Sequence, residues 1–348
     1  MQIGQNLMKN SAKFYLETHN RIKLAYCIGF LFLAVAFVMA IMLGSTFLTF
    51  AEIKEAFVYG FDYSPGSRIF AYIRLPRALA SLICGAALAL SGAVIQSVLA
   101  NRLASPGIIG VNSGAGFAVT LCTAMGIYGG WTLSAFAFLG ALGAALIVSI
   151  TSGKWNFSRG TVILFGVALN SFFSALSDTI ISFAPDVAVM SSGFKIGEFS
   201  YVTYSTLVPS FVLVLITLLL LLNLTNELDV ITLGVENAKA LGMNIFFVRM
   251  IFLILAALLA GCAVSLAGLL SFVGLIVPHM VRRISGTRSL HLVGLCAVFG
   301  GAFVCFCDTI SRTVFSPYEI PVGIIMSFLG VPFFVLILIK GKGGHHNA

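Results

Sequence analysis

The residues that could carry chemistry in this chain are few, and they form no reaction centre. Asp178 and Asp308 fall in long apolar runs, and His279 stands beside Pro278. Ionisable groups at membrane depth commonly mark a proton or sodium path. Here both aspartates lie toward the ends of their runs, and no ladder of Asp, Glu and His crosses the centre. Local pairing at helix ends is the plainer account. His279 has no second His, Cys or carboxylate at helical spacing, so no metal site is assigned. The seven cysteines (Cys27, Cys84, Cys122, Cys262, Cys296, Cys305, Cys307) read as buried free thiols acting as small hydrophobes. Cys305 and Cys307 are two apart and would point to different sides of a helix. Neither a paired Asp nor a Ser/His constellation is present. Neither Gly153-Lys154 nor Gly341-Lys342 fits the G-x-x-x-x-G-K-[ST] phosphate cradle. No catalytic residue, metal ligand or bound cofactor is assigned; if ATP drives this protein, another subunit hydrolyses it.

The elements that position these residues follow from composition. The chain has 348 residues, 59% hydrophobic and 9% charged, against about 25% charged in a soluble domain. Most of its surface must therefore face lipid. Backbone groups in lipid are satisfied only in helices or closed barrels. Unbroken apolar runs such as 24–43 and 207–222 lack the alternation of barrel strands. The expected fold is an all-α polytopic membrane protein with about ten transmembrane helices of roughly 20 residues each. The net charge of +8 would suggest nucleic acid in a soluble protein. Here the basic residues sit in short loops between apolar runs, so the positive-inside rule accounts for them. The first apolar run is too long for a signal-peptide core and lacks a convincing cleavage site.

The expected spans are 24–43, 72–98, 107–127, 131–151, 161–183, 206–223, 250–270, a short eighth ending at Arg282-Arg283, 291–311 and 322–339. Segment 1–23 is then a cytoplasmic N-terminal piece, 24–340 the transmembrane domain with a polar loop at 223–248, and 341–348 a cytoplasmic tail. With both termini inside, 14 of the 20 basic residues fall on the inner side, which supports this orientation. The exceptions are Lys54, Arg68, Arg74, Arg77, Lys195 and Arg312.

Gly85-Ala-Ala-Leu-Ala-Leu-Ser-Gly92 in the second span echoes Gly261-Cys-Ala-Val-Ser-Leu-Ala-Gly268 in the seventh, which would run the opposite way. That is the pattern of an inverted repeat; chance likeness between two Ala/Gly-rich helices is its rival. In the polar loop, Thr232 stands ready to cap a short helix that Gly242 would stop, with Glu236 three residues before Lys239. This helix either lies on the lipid interface or docks a cytoplasmic partner.

Several motifs in order resemble one family. Arg74-Leu-Pro-Arg77, the 85–92 run, Asn101-Arg-Leu-Ala-Ser-Pro-Gly107, Gly110-Val-Asn-Ser-Gly114, Leu233-Gly-Val-Glu236, Ser271-Phe-Val-Gly-Leu-Ile-Val-Pro-His279, Glu319-Ile-Pro-Val-Gly323 and Leu329-Gly-Val-Pro-Phe333 resemble the FecCD-type permeases of iron-siderophore, haem and cobalamin ABC importers. The resemblance runs from about residue 68 to 340. It implies the type II importer permease fold, and a permease homodimer or heterodimer in the bacterial inner membrane. It also implies two cytoplasmic ATP-binding subunits carrying ATP and Mg, and an extracytoplasmic binding protein that delivers a metal chelate. Nucleic acid has no part. By the same resemblance, Gly234, Val235, Glu236, Lys239, Ala240, Leu241 and Gly242 form the ATPase-coupling helix. Arg74, Arg77 and Arg312 are external charges that dock the binding protein. Asn101 and Leu103, with Ser158 and Thr161, narrow the inner mouth of the pathway; Arg159 and Gly160 depart from the small hydroxyl residues usual there. Ferric siderophore is the expected cargo, with haem or cobalamin as alternatives. From a different class, a stand-alone ion-coupled carrier would need the intramembrane charges that are scarce here.

Overall fold

The computed structural model describes residues 2–342 except 45, 129, 156 and 287, with side chains described from residue 20 to 336 apart from 153 and 285. Among them every regular element is helical. The chain opens with α1 (Gln2–Met42) and continues through two short helices, α2 (Phe50–Tyr59) and α3 (Pro65–Ile69). A single π-type turn, Phe70–Arg74, leads into α4 (Leu75–Val98). Next come α5 (Val111–Ala124), α6 (Gly130–Lys154), α7 (Arg159–Phe183) and the short α8 (Asp186–Met190) and α9 (Ser192–Ile196). Then follow α10 (Tyr204–Asn223), α11 (Thr225–Thr232), α12 (Val235–Ala240), α13 (Ile245–Ala267), α14 (Val273–Ser285), α15 (Ser289–Thr313) and α16 (Val322–Lys342).

Seven of these stretches are long and apolar enough to cross a bilayer, matching the expected spans one, two, four, five, six, seven and nine; α16 supplies the tenth. The third is shorter than the sequence suggests, and the eighth is short as expected: α5 has 14 residues and α14 has 13. At 1.5 Å per residue each is about 20 Å long, short of the roughly 30 Å hydrocarbon core. Backbone breaks explain the difference. A 3₁₀ turn, Pro106–Ile109, and the left-handed Gly110 (φ 88°) precede α5. Gly268 (φ 68°) and Phe272 (φ 67°) precede α14. Such interrupted helices lie in corresponding places of the two halves, as inverted-repeat transporters place them. The expected boundary at residue 23 is not a break, because α1 runs through it; residues 343–348 of the expected tail lie outside the described residues.

The helix α4 is the axis of the bundle. In its span 78% of the most apolar window is buried inside the chain, against 17% for α7. Small residues make this possible, since close backbone approach replaces the hydrophobic drive that lipid cannot supply. A Cβ on Gly85 would lie 2.2 Å from the Gly300 carbonyl oxygen, and one on Gly92 2.0 Å from that of Gly274. Hydrogen bonds fix relative direction. Cys84 Sγ donates to Ala263 O (3.6 Å) and Ser91 Oγ to Ala256 O (2.7 Å), so α4 and α13 are antiparallel. Cys305 Sγ bonds Ala36 O (3.5 Å) and Arg312 Nη2 bonds Ala40 O (3.1 Å), so α1 and α15 are parallel. Both relations agree with the expected alternation of spans.

The Gly85 and Gly261 echo has a structural counterpart. Gly85 rests on α15 of the second half, while Gly261 rests on Phe138 and Ala141 of α6 in the first. The second span of each half thus packs on the fourth span of the other. The second glycines differ: Gly92 lies mid-helix, whereas Gly268 ends α13 against the Phe194 carbonyl.

Gly92→Ala should misfit a rigid backbone and lower stability by about 1–3 kcal/mol. Gly143→Ala, whose new Cβ meets nothing within 4 Å, should leave it unchanged. Thermal unfolding midpoints in one detergent compare the two directly.

Candidate functional site

Three arginines gather where α1, α4 and α15 end together. Arg74 closes the π-type turn, Arg77 lies in the first turn of α4, and Arg312 in the last turn of α15. The structure brings the three together, as the sequence expectation required, but it does not leave them on an exposed rim. Their relative exposures are 3%, 7% and 1%. The carboxylate of Asp308, fully buried, accepts from Arg77 Nη2 (3.0 Å) and forms an ion pair with Arg312 Nε (3.1 Å), which donates to the Asp308 carbonyl (3.3 Å). Arg77 Nη1 reaches Glu319 Oε2 at 2.7 Å. Arg74 donates to Leu43 O and, at 2.8 Å, to Thr46 O. Together with the Arg312 bond to Ala40 O, these contacts satisfy carbonyls at the end of α1 that helix geometry leaves unpaired, where the dipole favours cations. The physical reason for burial is pairing: a buried guanidinium is tolerable when a carboxylate and carbonyls occupy its donors. Beyond the local partner expected from sequence, Arg312 four residues on, Asp308 also holds Arg77 of α4 and is the hub of the network. Glu319 was missed as a site residue. Its signal was an acid just past the end of the ninth span, on the side that carried unexplained arginines.

At the other end of the bundle α12 stands proud. Gly234 (φ 103°) precedes it and Gly242 (φ 80°) follows, both in backbone territory that favours glycine. Gly242 N bonds Lys239 O (2.9 Å) and stops the helix as expected. Thr232 does not cap it. It closes α11 instead, its hydroxyl bonding Asp229 O (2.6 Å), and the N-cap position of α12 is Gly234. Both Glu236 and Lys239 are exposed, and among the described residues no ion pair joins them. Ala238 is fully buried and anchors the helix, while Leu233, Val235 and Leu241 are exposed.

The residues expected at the inner mouth lie apart within one chain. Asn101 Oδ1 accepts from Leu103 N (2.9 Å), and exposed Leu103 borders a small cavity with Phe272, His279 and Phe333. Ser158 caps α7, accepting from Thr161 N (3.1 Å), and borders a different cavity beside α12 and α13. His279 meets Phe333 edge-on, with ring centroids 6.4 Å apart. Asp178 is exposed on α7. Among the described residues no group of three His, Cys, Asp or Glu side chains could hold a metal ion. A further cavity of about 660 Å³ lies between α16, α5 and the 269–271 loop, lined in part by Asn112, Lys195, Ser271 and Ser327. None of these polar residues was singled out from sequence as lining a pathway.

With this geometry in place, similarity to known proteins becomes informative. The model of the FecCD transport family matches residues 32–340. The chain belongs to that family. It is 36% identical over 345 residues to an uncharacterized ABC transporter permease protein, YvrB, of Bacillus subtilis, covering 94% of this chain and 97% of that one. It is 32% identical to the iron-uptake system permease protein FeuB of the same organism, covering 90% and 95%. It is 34% identical to the vitamin B12 import system permease protein BtuC of Yersinia pseudotuberculosis, covering 81% and 85%. A solved structure described as an inward-facing conformation of a metal-chelate type ABC transporter superposes with a TM-score of 0.77 at 28% identity, covering 92% and 99%. This FecCD-family chain therefore has the multi-span fold of the type II importer permeases.

Asp308→Asn would leave two buried guanidinium groups with a neutral partner. A loss of about 3–5 kcal/mol is expected. Glu319→Gln, whose side chain is 35% exposed, should lose much less. Unfolding midpoints of both variants in detergent check the ranking.

Proposed function

We propose that this chain is the membrane-spanning subunit of an ATP-driven importer that moves a metal chelate into the cell. The observation that carries this reading is α12, a short helix held away from the bundle between two glycines with its apolar side chains unpartnered. A helix so framed is suited to fit a cleft on a partner and pass its motion to α11 and α13. In this reading the partners are two ATP-binding subunits that hold ATP and Mg, and Gly234 to Gly242 is the coupling segment.

The rest follows from the same assignment. The lipid-facing chain sits in the bacterial inner membrane with both termini cytoplasmic. Sparsely buried α7 and the α16 face beside the 660 Å³ cavity would meet a second permease, identical or related, so that the cavity becomes half of a central pathway. Asn101 and Leu103 of one subunit would then oppose Ser158 and Thr161 of the other at the inner mouth. The arginine cluster marks the outer end, where a binding protein docks. Because Arg77 is occupied, an incoming carboxylate would have to replace Glu319, its more exposed partner. Rim charges of this kind set orientation and docking rate more than affinity. Ferric siderophore is the cargo favoured by the iron-uptake relative; haem or cobalamin would use the same machinery. The locked state of Asp308 weighs against a stand-alone carrier using it for proton transfer.

The test is a gentle-detergent pull-down of the tagged chain from its host, with mass spectrometry of what co-purifies. A Walker-motif ATPase and a binding protein are expected. Recovery of the chain alone, where a known importer stays intact, would count against the proposal. Val235→Asp/Leu241→Asp should abolish ATPase recovery while leaving the unfolding midpoint unchanged; undiminished recovery would remove α12 from the coupling role.

A further inference from the structure

We infer that the inner end of each subunit carries a binding site for the phosphate of an anionic phospholipid headgroup, in a cavity beside α12 whose two arginines, Arg159 and Arg249, have no part in the importer reading. The cavity has a volume of about 890 Å³ and lies among α6, α7, α12 and α13. Arg159, Lys239 and Arg249 line it, and among the described lining residues there is no carboxylate. Among the described residues none of the three forms an ion pair, in contrast to Arg77 and Arg312 at the other end, which pair with Asp308 and Glu319.

The two arginines are only partly satisfied. Arg159 Nη2 reaches Ile231 O at 3.5 Å and Arg249 Nη1 reaches Phe157 O at 3.3 Å. The Nε of each is buried without a hydrogen-bond partner. A buried N–H on a cationic group left unpaired is costly, and a bound anion is the ordinary remedy. The backbone points the same way. Ser158, Arg159 and Gly160 begin a 25-residue helix, and Asn244, Ile245 and Phe246 begin a 23-residue one, and all six line the cavity. First-turn amides have no carbonyl within their own helix, and both dipoles turn their positive ends inward.

The surroundings favour a lipid as the source of that phosphate. Exposed Phe246 lines the opening, and exposed Trp155 packs 5.9 Å from the ring of Phe157, which lines it too. Exposed Trp beside a long apolar helix is typical of the membrane interface, and basic pockets between membrane helices are known headgroup sites.

Native mass spectrometry of the delipidated chain decides the matter, titrated with phosphatidylglycerol, phosphatidylcholine or inorganic phosphate. Phosphatidylglycerol should bind about tenfold tighter than phosphatidylcholine. That preference should vanish in Arg159→Gln/Arg249→Gln, persist in Arg159→Lys/Arg249→Lys, and be unchanged in Arg68→Gln, an exposed arginine paired with Asp62. If the glutamine pair does not fold, competition of glycerol 1-phosphate against phosphatidylglycerol on the unaltered chain supplies the readout, with displacement expected. Equal binding of the two lipids, or an intact preference in the folded glutamine pair, overturns the inference. Full displacement by inorganic phosphate at equal concentration would assign the site to the free anion, and expulsion of phosphatidylglycerol on assembly with an ATPase would assign it to that partner's acidic side chains; either result overturns the lipid assignment. Binding is read on the chain alone, so this outcome is separable from that of the pull-down.

Discussion

The register in which α4 and α15 cross is the constraint on which the rest of the molecule depends. Gly85 and Gly300 bring the two antiparallel backbones into contact, and eight residues away on each helix Arg77 meets Asp308. That separation is about 12 Å along either axis. One crossing therefore places a steric contact and a buried charge pair together. A slip of even one residue would disturb both, because it would drive side chains into the glycine contact and draw Arg77 off the buried Asp308. From this fixed crossing α4 carries Ser91 to α13 and Gln96 to Gly274 of α14, so the two halves of the chain are referenced to one helix.

Much of this arrangement was legible from residues alone. Long apolar runs located seven crossing helices, and charge counting explained most of the loops. Gly242 announced the end of α12. What stayed hidden depended on the third dimension. Hydropathy counts residues without sensing a backbone reversal, so α5 looked like a full span, while α14 was legible as short but not the reversal before it. Gly110 is at least a recognisable breaker, but a left-handed Phe272 leaves no mark in composition. The arginines were recognisable as misplaced charges, yet their burial was not, since Arg77 and Asp308 are 231 residues apart in sequence. Thr232 misled because a hydroxyl before a helix resembles a cap, although here it belongs to the helix that precedes.

The two ends of the bundle handle positive charge differently. Where α1 and α15 end, each guanidinium finds a carboxylate or a backbone carbonyl, and the cluster behaves as a rivet through three helices. At the α12 end Arg159 and Arg249 face a cavity with donors to spare. The first arrangement resists motion, while the second can accept a ligand. A transporter that rocks about a fixed point needs this kind of asymmetry between its ends, and rigid-body motion of one half against the other is the usual form in inverted-repeat folds.

The glycines that frame α12 separate shape from surface. Gly234 and Gly242 hold backbone angles that other residues reach only with strain, and Ala238 is the buried foot on which the helix stands. These positions fix where the helix points. Residues 236, 237, 240 and 241 are exposed. Under the proposed coupling role, lineages could rewrite the outward residues to follow a changing motor protein without altering the angle of the helix. Swapped or shared motors would then need changes on one small face and none in the membrane.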